Sequence, residues 1–307
     1  MTNPIKEIHP REGQPEIEAL LLEFSQGIEE VVNFGTHILK WDIDEARGTD
    51  ENVPIVMMLR HILEMMDAVS ILVKNSSIDP CKPLLRGILE TILGLEYILE
   101  SDTKNRALGF LIWHSHKNLK LSQKLTPGEQ SYNQLKSKFK KDKILKNENT
   151  PPEIPGLEKY ISNLEELVSL PLYALAEKEY QSLISSGKKN PAWYQLFNGP
   201  ENIEQLANHL NRQALYEILY RSWSGPTHGT DVLTRKLSQS ASGHAEIVQI
   251  RYAKDAQQVT QLSFSLGFLV YQIMTEKRIP NYKMNYAKWY LTIQKIFLKL
   301  TNEKLIS

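Results

Sequence analysis

The fold is decided by one long apolar stretch, Asp79-Pro-Cys-Lys-Pro-Leu84-Leu-Arg86-Gly-Ile-Leu-Glu90-Thr-Ile-Leu-Gly-Leu-Glu-Tyr97-Ile98. Asp79 followed by Pro80 is a helix start signal, because aspartate favours the N-cap and proline favours the first helical position. The stretch is apolar on most sides of a helix, which predicts a central and largely buried element. Arg86 and Glu90 are spaced i and i+4 on this helix, so they share a face.

Apolar residues recur at helical spacing on both sides of this stretch, and no sustained alternation predicts strands. A first helix is predicted over 20–38, and a second begins near Asn52 with Pro54 in its first turn. Further helices are predicted after Asp102 and over 157–170, 172–184, 203–210, 214–223, 253–275 and 285–300. The sequence therefore predicts an all-α fold.

The predicted organisation is a single helical-bundle-like domain with an insertion. Residues 15–114 supply the N-terminal helices, 115–200 form a polar, basic, loop-rich helical insertion, and 201–307 hold the motif helix and the C-terminal helices. The apolar stripe of the last helix predicts packing on the core or on a second subunit, and contact with a membrane is the alternative.

Composition narrows the classes of function. The 307 residues hold 36 basic and 36 acidic side chains, so no global charge favours nucleic acid or an anionic membrane. The single cysteine, Cys81, is typical of a reducing compartment and predicts a small buried residue. The first residues lack a secretion signal, and the apolar run over 264–274 is too short to span a bilayer. We therefore expect a cytoplasmic protein without a membrane span.

The predicted insertion contains a lysine-rich segment. Between Lys117 and Lys146 there are nine lysines against two acids, Glu129 and Asp142. With Tyr132 and other aromatic residues interleaved, such a segment suits a nucleic-acid backbone. A solvated helix face is the other interpretation, because runs of charge usually lie on the surface.

The motif with the most chemical content is Tyr216-Glu-Ile-Leu-Tyr220-Arg221-Ser-Trp-Ser224-Gly-Pro-Thr-His228-Gly229. Six residues separate Arg221 from His228, and the break that begins at Ser224 lets the chain double back. A guanidinium beside an imidazole suits phosphate binding with proton transfer. The alternative is structural, with Arg221 paired to an acid of the core and His228 capping the next helix.

Other histidines give no metal site. His114 and His116 are two residues apart, so a helix points them to different faces. His61 and Glu64 have better spacing, but no second pair completes a site. We expect neither a metal nor a cofactor.

The Arg-x6-His segment at the end of a helix in an all-α chain resembles the HEPN superfamily, which includes metal-independent endoribonucleases of toxin–antitoxin and phage-defence systems. The Arg86-x3-Glu90 helix and the Tyr220-x3-Ser224-x3-His228 segment are together similar to an uncharacterised bacterial family in which both elements recur. The resemblance covers roughly residues 15–275.

The resemblance implies catalytic roles for Arg221 and His228 and a dimer with two motifs facing each other. The expected reaction is RNA cleavage that leaves a 2′,3′-cyclic phosphate, with RNA and a protein partner or antitoxin as binding partners. Active members usually carry Asn, Asp or His directly after the arginine, where this chain has Ser222. A non-catalytic module that binds RNA, a nucleotide or a protein is therefore the second class of function.

Four residues are predicted to support the site: Arg86, Glu90, Tyr220 and Ser224. Glu90 lies on a largely apolar helix, where a carboxylate needs a partner. We expect this partner to be Arg86, Arg221 or the motif loop. The two alternatives are that Glu90 orders Arg221 or His228, or that it only bridges to Arg86.

Overall fold

A computed structural model describes residues 15–45, 47–145, 150–223, 236–239 and 243–302, together with positions 2, 3, 5, 8, 9 and 306. The chain divides into two compact units. Unit 1 comprises 1–101 and 203–307, and unit 2 comprises 102–202. The single domain with an insertion over 115–200 stays a prediction.

Unit 1 is helical apart from one small hairpin. Its helices are α1 (Pro15–Asp44), α2 (Asn52–Lys74), α3 (Cys81–Glu100), α8 (Ile203–His209), α9 (Gln213–Leu215), a π-helix (Tyr216–Arg221), α10 (Ala256–Lys277), a 3₁₀ turn (Pro280–Tyr282) and α11 (Lys283–Asn302). The all-α prediction is confirmed. The central helix starts one or two residues later than its start signal, because Pro80 takes the N-cap position and Cys81 is the first helical residue.

The core of unit 1 lies between α1, α2, α3 and α10. Tyr271 of α10 is fully buried and donates a hydrogen bond from its hydroxyl to Val31 O on α1, at 2.6 Å. Gly35 allows this close approach, because a Cβ there would overlap Leu63 and the Tyr271 hydroxyl. Cys81 is buried as predicted, and burial raises the pKa of its thiol to about 12.

The buried carboxylate of Asp42 belongs to a hydrogen-bond network that links the ends of three helices, α1, α2 and α10. Asp42, near the end of α1, accepts hydrogen bonds from Arg47 and from Arg278 Nε, the latter at 2.8 Å. Arg278, just after α10, also donates to Asn52 Oδ1 at the start of α2, at 2.7 Å. The Asp42 side chain is fully buried, and these hydrogen bonds replace the hydration of Oδ1. Its Oδ2 is buried without a hydrogen-bond partner among the residues that the structure describes.

Two short strands depart from the expectation of an all-helical chain without strands. β1 (Leu237–Gln239) pairs antiparallel with β2 (Ala245–Ile247), and Ser238 lies opposite Glu246. Every residue of both strands is exposed. With three residues each and no buried face, these strands have no alternating pattern long enough to predict.

Unit 2 is built around α4. Its elements are α4 (Thr103–Gln123), α5 (Gln130–Lys141), α6 (Leu157–Ser169), a 3₁₀ turn (Pro171–Tyr173), α7 (Ala174–Ser185) and a kinked 3₁₀ segment (Trp193–Asn198). Its core has the following buried members: Leu108, Ile112, Tyr173, Ala176, Tyr180 and Leu196. Within Gln130–Lys141 no residue is buried, which agrees with the solvated-face interpretation of the lysine-rich segment.

The last helix of unit 1, α11, packs on the core. This agrees with the interpretation that its apolar stripe is a packing face. Trp289, Ile293 and Leu300 of α11 are buried. Trp289 stacks on Phe34 of α1, with ring centroids 4.1 Å apart, and its Nε1–H donates to Glu30 Oε1 at 2.9 Å. Among the helices that the structure describes, none has the length and apolar character required to cross a membrane.

Candidate functional site

The motif helix ends in an unusual geometry. The sequence predicts an α-helix over 214–223, but only Gln213–Leu215 is α-helical and Tyr216–Arg221 is a π-helix. The Ser222 N–H donates to Glu217 O at 3.3 Å, an i to i−5 bond, and the Ser222 hydroxyl donates to the same oxygen at 3.0 Å. π-helical turns are rare and frequently lie at functional sites.

The π-helix presents Tyr220 to an arginine of α3. The Arg86 guanidinium carbon lies 3.8 Å from the centroid of the Tyr220 ring. Tyr216 stacks on Tyr220 in turn, with centroids 4.9 Å apart and an interplanar angle of 17°. The guanidinium thus forms a cation–π contact with the end of an aromatic stack.

Arg86 is buried, and its hydrogen bonding is incomplete. Its side chain is 10% exposed and its Nε donates to Glu90 Oε1 at 3.3 Å. Its Nη1 is buried and has no hydrogen-bond partner within the residues that the structure describes. A buried guanidinium nitrogen without an acceptor is costly, so an anionic or carbonyl oxygen that reached this atom would accept a hydrogen bond from it.

Glu90 is paired with Arg86, which confirms the prediction that this carboxylate has a partner. Its side chain remains 45% exposed. Partial burial raises the pKa of Glu90, and the neighbouring Arg86 guanidinium opposes that rise. Of the two predicted alternatives, the contact seen is the bridge within α3. An ordering role toward His228 stays a prediction.

Arg221 occupies the last position of the π-helix and is 59% exposed. Its Nη1 donates to Glu217 Oε1 at 3.1 Å, and its Nη2 lies 3.6 Å from Glu204 Oε1. Arg221 directly follows Tyr220, the residue whose ring covers the Arg86 guanidinium. The structural interpretation predicted a core acid as the partner of Arg221, whereas both acids that Arg221 contacts are exposed. His228 and Ser224 lie outside the described residues.

Sequence analysis missed two further pairs on α3. Glu96 accepts two hydrogen bonds from Arg212, at 2.9 and 3.0 Å, and Glu100 lies 2.7 Å from His209 Nε2. His209 also meets the Tyr97 ring edge-on at 5.7 Å. The available signal was acidic residues recurring along an otherwise apolar helix, which each require a partner from another element.

The histidines of unit 2 have structural partners. His116 Nε2 lies 2.6 Å from Glu177 Oε2, and its ring stacks on Tyr180 with centroids 4.2 Å apart. His114 instead stacks on Phe110. Among the described residues, no group of three or more His, Cys, Asp or Glu side chains is arranged to hold a metal ion.

Comparison with known proteins identifies a family but no characterised relative. Neither the curated proteins nor the solved structures gave a match to the chain. The model of a family of unknown function, DUF5677, matches residues 52–245. That range runs from α2 to β2 and contains Arg86, Glu90, Tyr220 and Arg221. The chain therefore belongs to the DUF5677 family of unknown function.

Proposed function

We propose that this protein is a metal-independent endoribonuclease of the HEPN type. The observation that carries the proposal is the buried Arg86 guanidinium, stacked on Tyr220 next to Arg221 and with Nη1 lacking a partner among the described residues. Two arginines on neighbouring elements offer hydrogen-bond donors and positive charge to a phosphodiester. The Arg-x6-His segment adds an acid–base group to the same region of sequence.

In the proposed reaction the ribose 2′-oxygen attacks the adjacent phosphorus, and the bond from phosphorus to the 5′-oxygen breaks. His228 accepts the 2′-OH proton and then donates it to the departing 5′-oxygen, so the protons balance. Arg221 stabilises the negative charge that develops on the phosphoryl oxygens. The products are a 2′,3′-cyclic phosphate and a 5′-hydroxyl, and the step is neither an oxidation nor a reduction.

The ion pairs of Arg221 are compatible with this role. Both of its acidic partners are exposed, Glu204 by 46% and Glu217 by 42%. Exposed ion pairs contribute only about 0–1 kcal/mol each. A phosphodiester therefore displaces them at small cost, and until then they hold the guanidinium at the end of the π-helix.

The test is cleavage of a labelled single-stranded RNA in EDTA. We expect cleavage by the wild type, and losses of about 10²-fold or more for Arg221→Ala and His228→Ala. Arg60→Ala is the matched control, because Arg60 is 58% exposed and pairs with Glu64 at i+4, as Arg221 pairs with Glu217 at i−4. A deoxyribose at the cleaved position removes the nucleophile and blocks the reaction. Cleavage that His228→Ala retains at the wild-type rate contradicts the assignment.

A second function is favoured by Ser222. Its hydroxyl donates to Glu217 O within the helix, at the position where active HEPN nucleases usually carry Asn, Asp or His. The alternative is a non-catalytic module that binds RNA, a nucleotide or a protein partner such as an antitoxin at the same site. RNA that is bound with an Arg221-dependent affinity but never cut supports this function.

A further inference from the structure

A column of lysines runs along one face of α4 in unit 2. Lys117 and Lys120 lie on α4 and Lys124 directly follows its last residue. The three lysines, called the lysine column below, are spaced i, i+3 and i+7, and all three side chains are exposed. A rise of 1.5 Å per residue places the first and last about 10 Å apart. The opposite side of α4 contributes Leu108 and Ile112 to the core of the unit, so a packed helix holds the column in place.

Aromatic rings support two of the three ammonium groups. Lys117 Nζ lies 4.9 Å from the centroid of the Trp113 ring, and Lys120 Nζ lies 5.8 Å from that of Tyr180. The Trp113 ring is itself fixed, since its Nε1–H donates to Pro191 O at 2.8 Å. Cation–π contacts position the ammonium groups without neutralising their charge.

The lysine column is not neutralised by acids. None of its three members forms an ion pair with a carboxylate in the part of the chain that the structure describes. By contrast, Lys82 pairs with Asp79 and Asp255, at 2.8 and 2.7 Å. The column also begins the 117–146 segment, in which nine lysines stand against two acids. A persistent positive field on a rigid helix face favours an extended polyanion.

A stacking surface lies beside the column. His114 is exposed, and its ring stacks on Phe110 with centroids 6.1 Å apart and an interplanar angle of 16°. Partial burial and the neighbouring Lys117 both lower the pKa of His114, which favours the uncharged ring. Exposed ring faces next to ammonium groups are the combination that single-stranded nucleic acids bind, through stacked bases and paired phosphates.

We propose that the lysine column of α4 binds the phosphate backbone of single-stranded RNA. The choice of RNA over DNA rests on the proposed function, whereas the lysine column belongs to unit 2 and Arg86 and Arg221 belong to unit 1. Each lysine–phosphate contact on a single strand releases counterions and contributes about 0.7 to the slope of log affinity against log salt concentration. Three contacts therefore contribute a slope of about 2.

The experiment measures binding of a fluorescent 2′-O-methyl oligouridine, which cannot be cleaved, by anisotropy across a salt series. The full-length triple variant Lys117→Gln/Lys120→Gln/Lys124→Gln should bind on the order of tenfold more weakly near 0.1 M salt, with a slope smaller by about 2. The matched control removes three exposed lysines of α11, as Lys283→Gln/Lys288→Gln/Lys295→Gln, and should bind like the wild type. Replacing the column with arginine should preserve binding.

Three outcomes overturn the inference. One is a column variant whose affinity and slope match those of the wild type. The second is that the α11 control loses as much RNA affinity as the column variant, because the loss would then follow from the change in net charge alone. The third is that binding of phosphatidylserine vesicles depends on the lysine column whereas binding of RNA does not. Arg221- and His228-dependent cleavage with an inert column leaves only the proposed function standing, and column-dependent binding without cleavage leaves only this inference.

Discussion

At the scale of residues, the π-helix explains why Arg86 and Tyr220 meet. The sequence separates them by more than a hundred positions, and only the packing of the motif helix against α3 brings the ring over the guanidinium. The i to i+4 relation of Arg86 and Glu90 was readable from spacing, and so was the need of Glu90 for a partner. The stack of Tyr216 on Tyr220 could not be predicted, because a period of 3.6 residues assigns the side chains of a π-helical turn to the wrong face of the helix.

Replacing Arg86 tests whether its free nitrogen serves a ligand. We expect Arg86→Ala to weaken binding of the uncleavable RNA about tenfold, which corresponds to about 1.4 kcal/mol. Tyr220→Phe should leave binding unchanged, because the ring face that covers the guanidinium remains. Anisotropy titrations measure both variants, with thermal unfolding to verify that each is folded. Equal affinity of Arg86→Ala and wild type would reduce Arg86 to a packing residue.

Glu90 gives a prediction for the pH dependence of stability. Its pKa in the folded protein is raised above its ordinary value, so between the unfolded and the folded pKa the folded state binds more protons than the unfolded one. Stability attributable to this group is therefore present below the unfolded pKa and is lost as pH rises through the folded pKa. Glu90→Gln should remove that decline.

The size of the Glu90 effect should be small. A fully buried pair would lose on the order of 3 kcal/mol or more when broken, but the Glu90 side chain is 45% exposed. We therefore expect Glu90→Gln to change the free energy of unfolding by less than about 1 kcal/mol at neutral pH. Urea unfolding of both proteins at acidic and neutral pH measures this. A large loss for the variant at neutral pH would contradict the solvent-screened pair.

At the scale of elements, the helices were predictable because their apolar stripes are long. The first two helices and α10 each carry a stripe of several turns, which predicted their existence and approximate position. The first helix is longer than predicted, Pro15–Asp44 in place of 20–38. Short elements were not predictable in this way. The π-turn over Tyr216–Arg221 and the exposed strands of the hairpin have no periodic signal of their own. Their geometry depends on hydrogen bonds that sequence patterns do not record.

The Asp42 network should dominate the attachment of the helix ends. Asp42→Ala leaves Arg278, whose side chain is 10% exposed, without its carboxylate, so we expect a loss of about 3–5 kcal/mol in the free energy of unfolding. Asp44→Ala is the control two residues away on α1. Asp44 is 49% exposed and pairs with Lys40, so its loss should cost at most about 1 kcal/mol. Similar losses for the two variants in guanidinium unfolding would contradict the network's role.

At the scale of the whole molecule, the HEPN resemblance makes a prediction about assembly. A site composed of two facing motifs exists only in the dimer, so cleavage per chain should fall on dilution in parallel with dimer dissociation. Sedimentation velocity and cleavage rates, measured over the same range of protein concentration, test this. A supporting variant is one that weakens the dimer without touching Arg221 or His228 and that lowers the activity of dilute protein only. Undiminished activity per chain at concentrations where the protein sediments as a monomer would contradict the composite site. The nuclease would then have to work within one chain, with Arg86 in place of the partner's arginine as the second guanidinium.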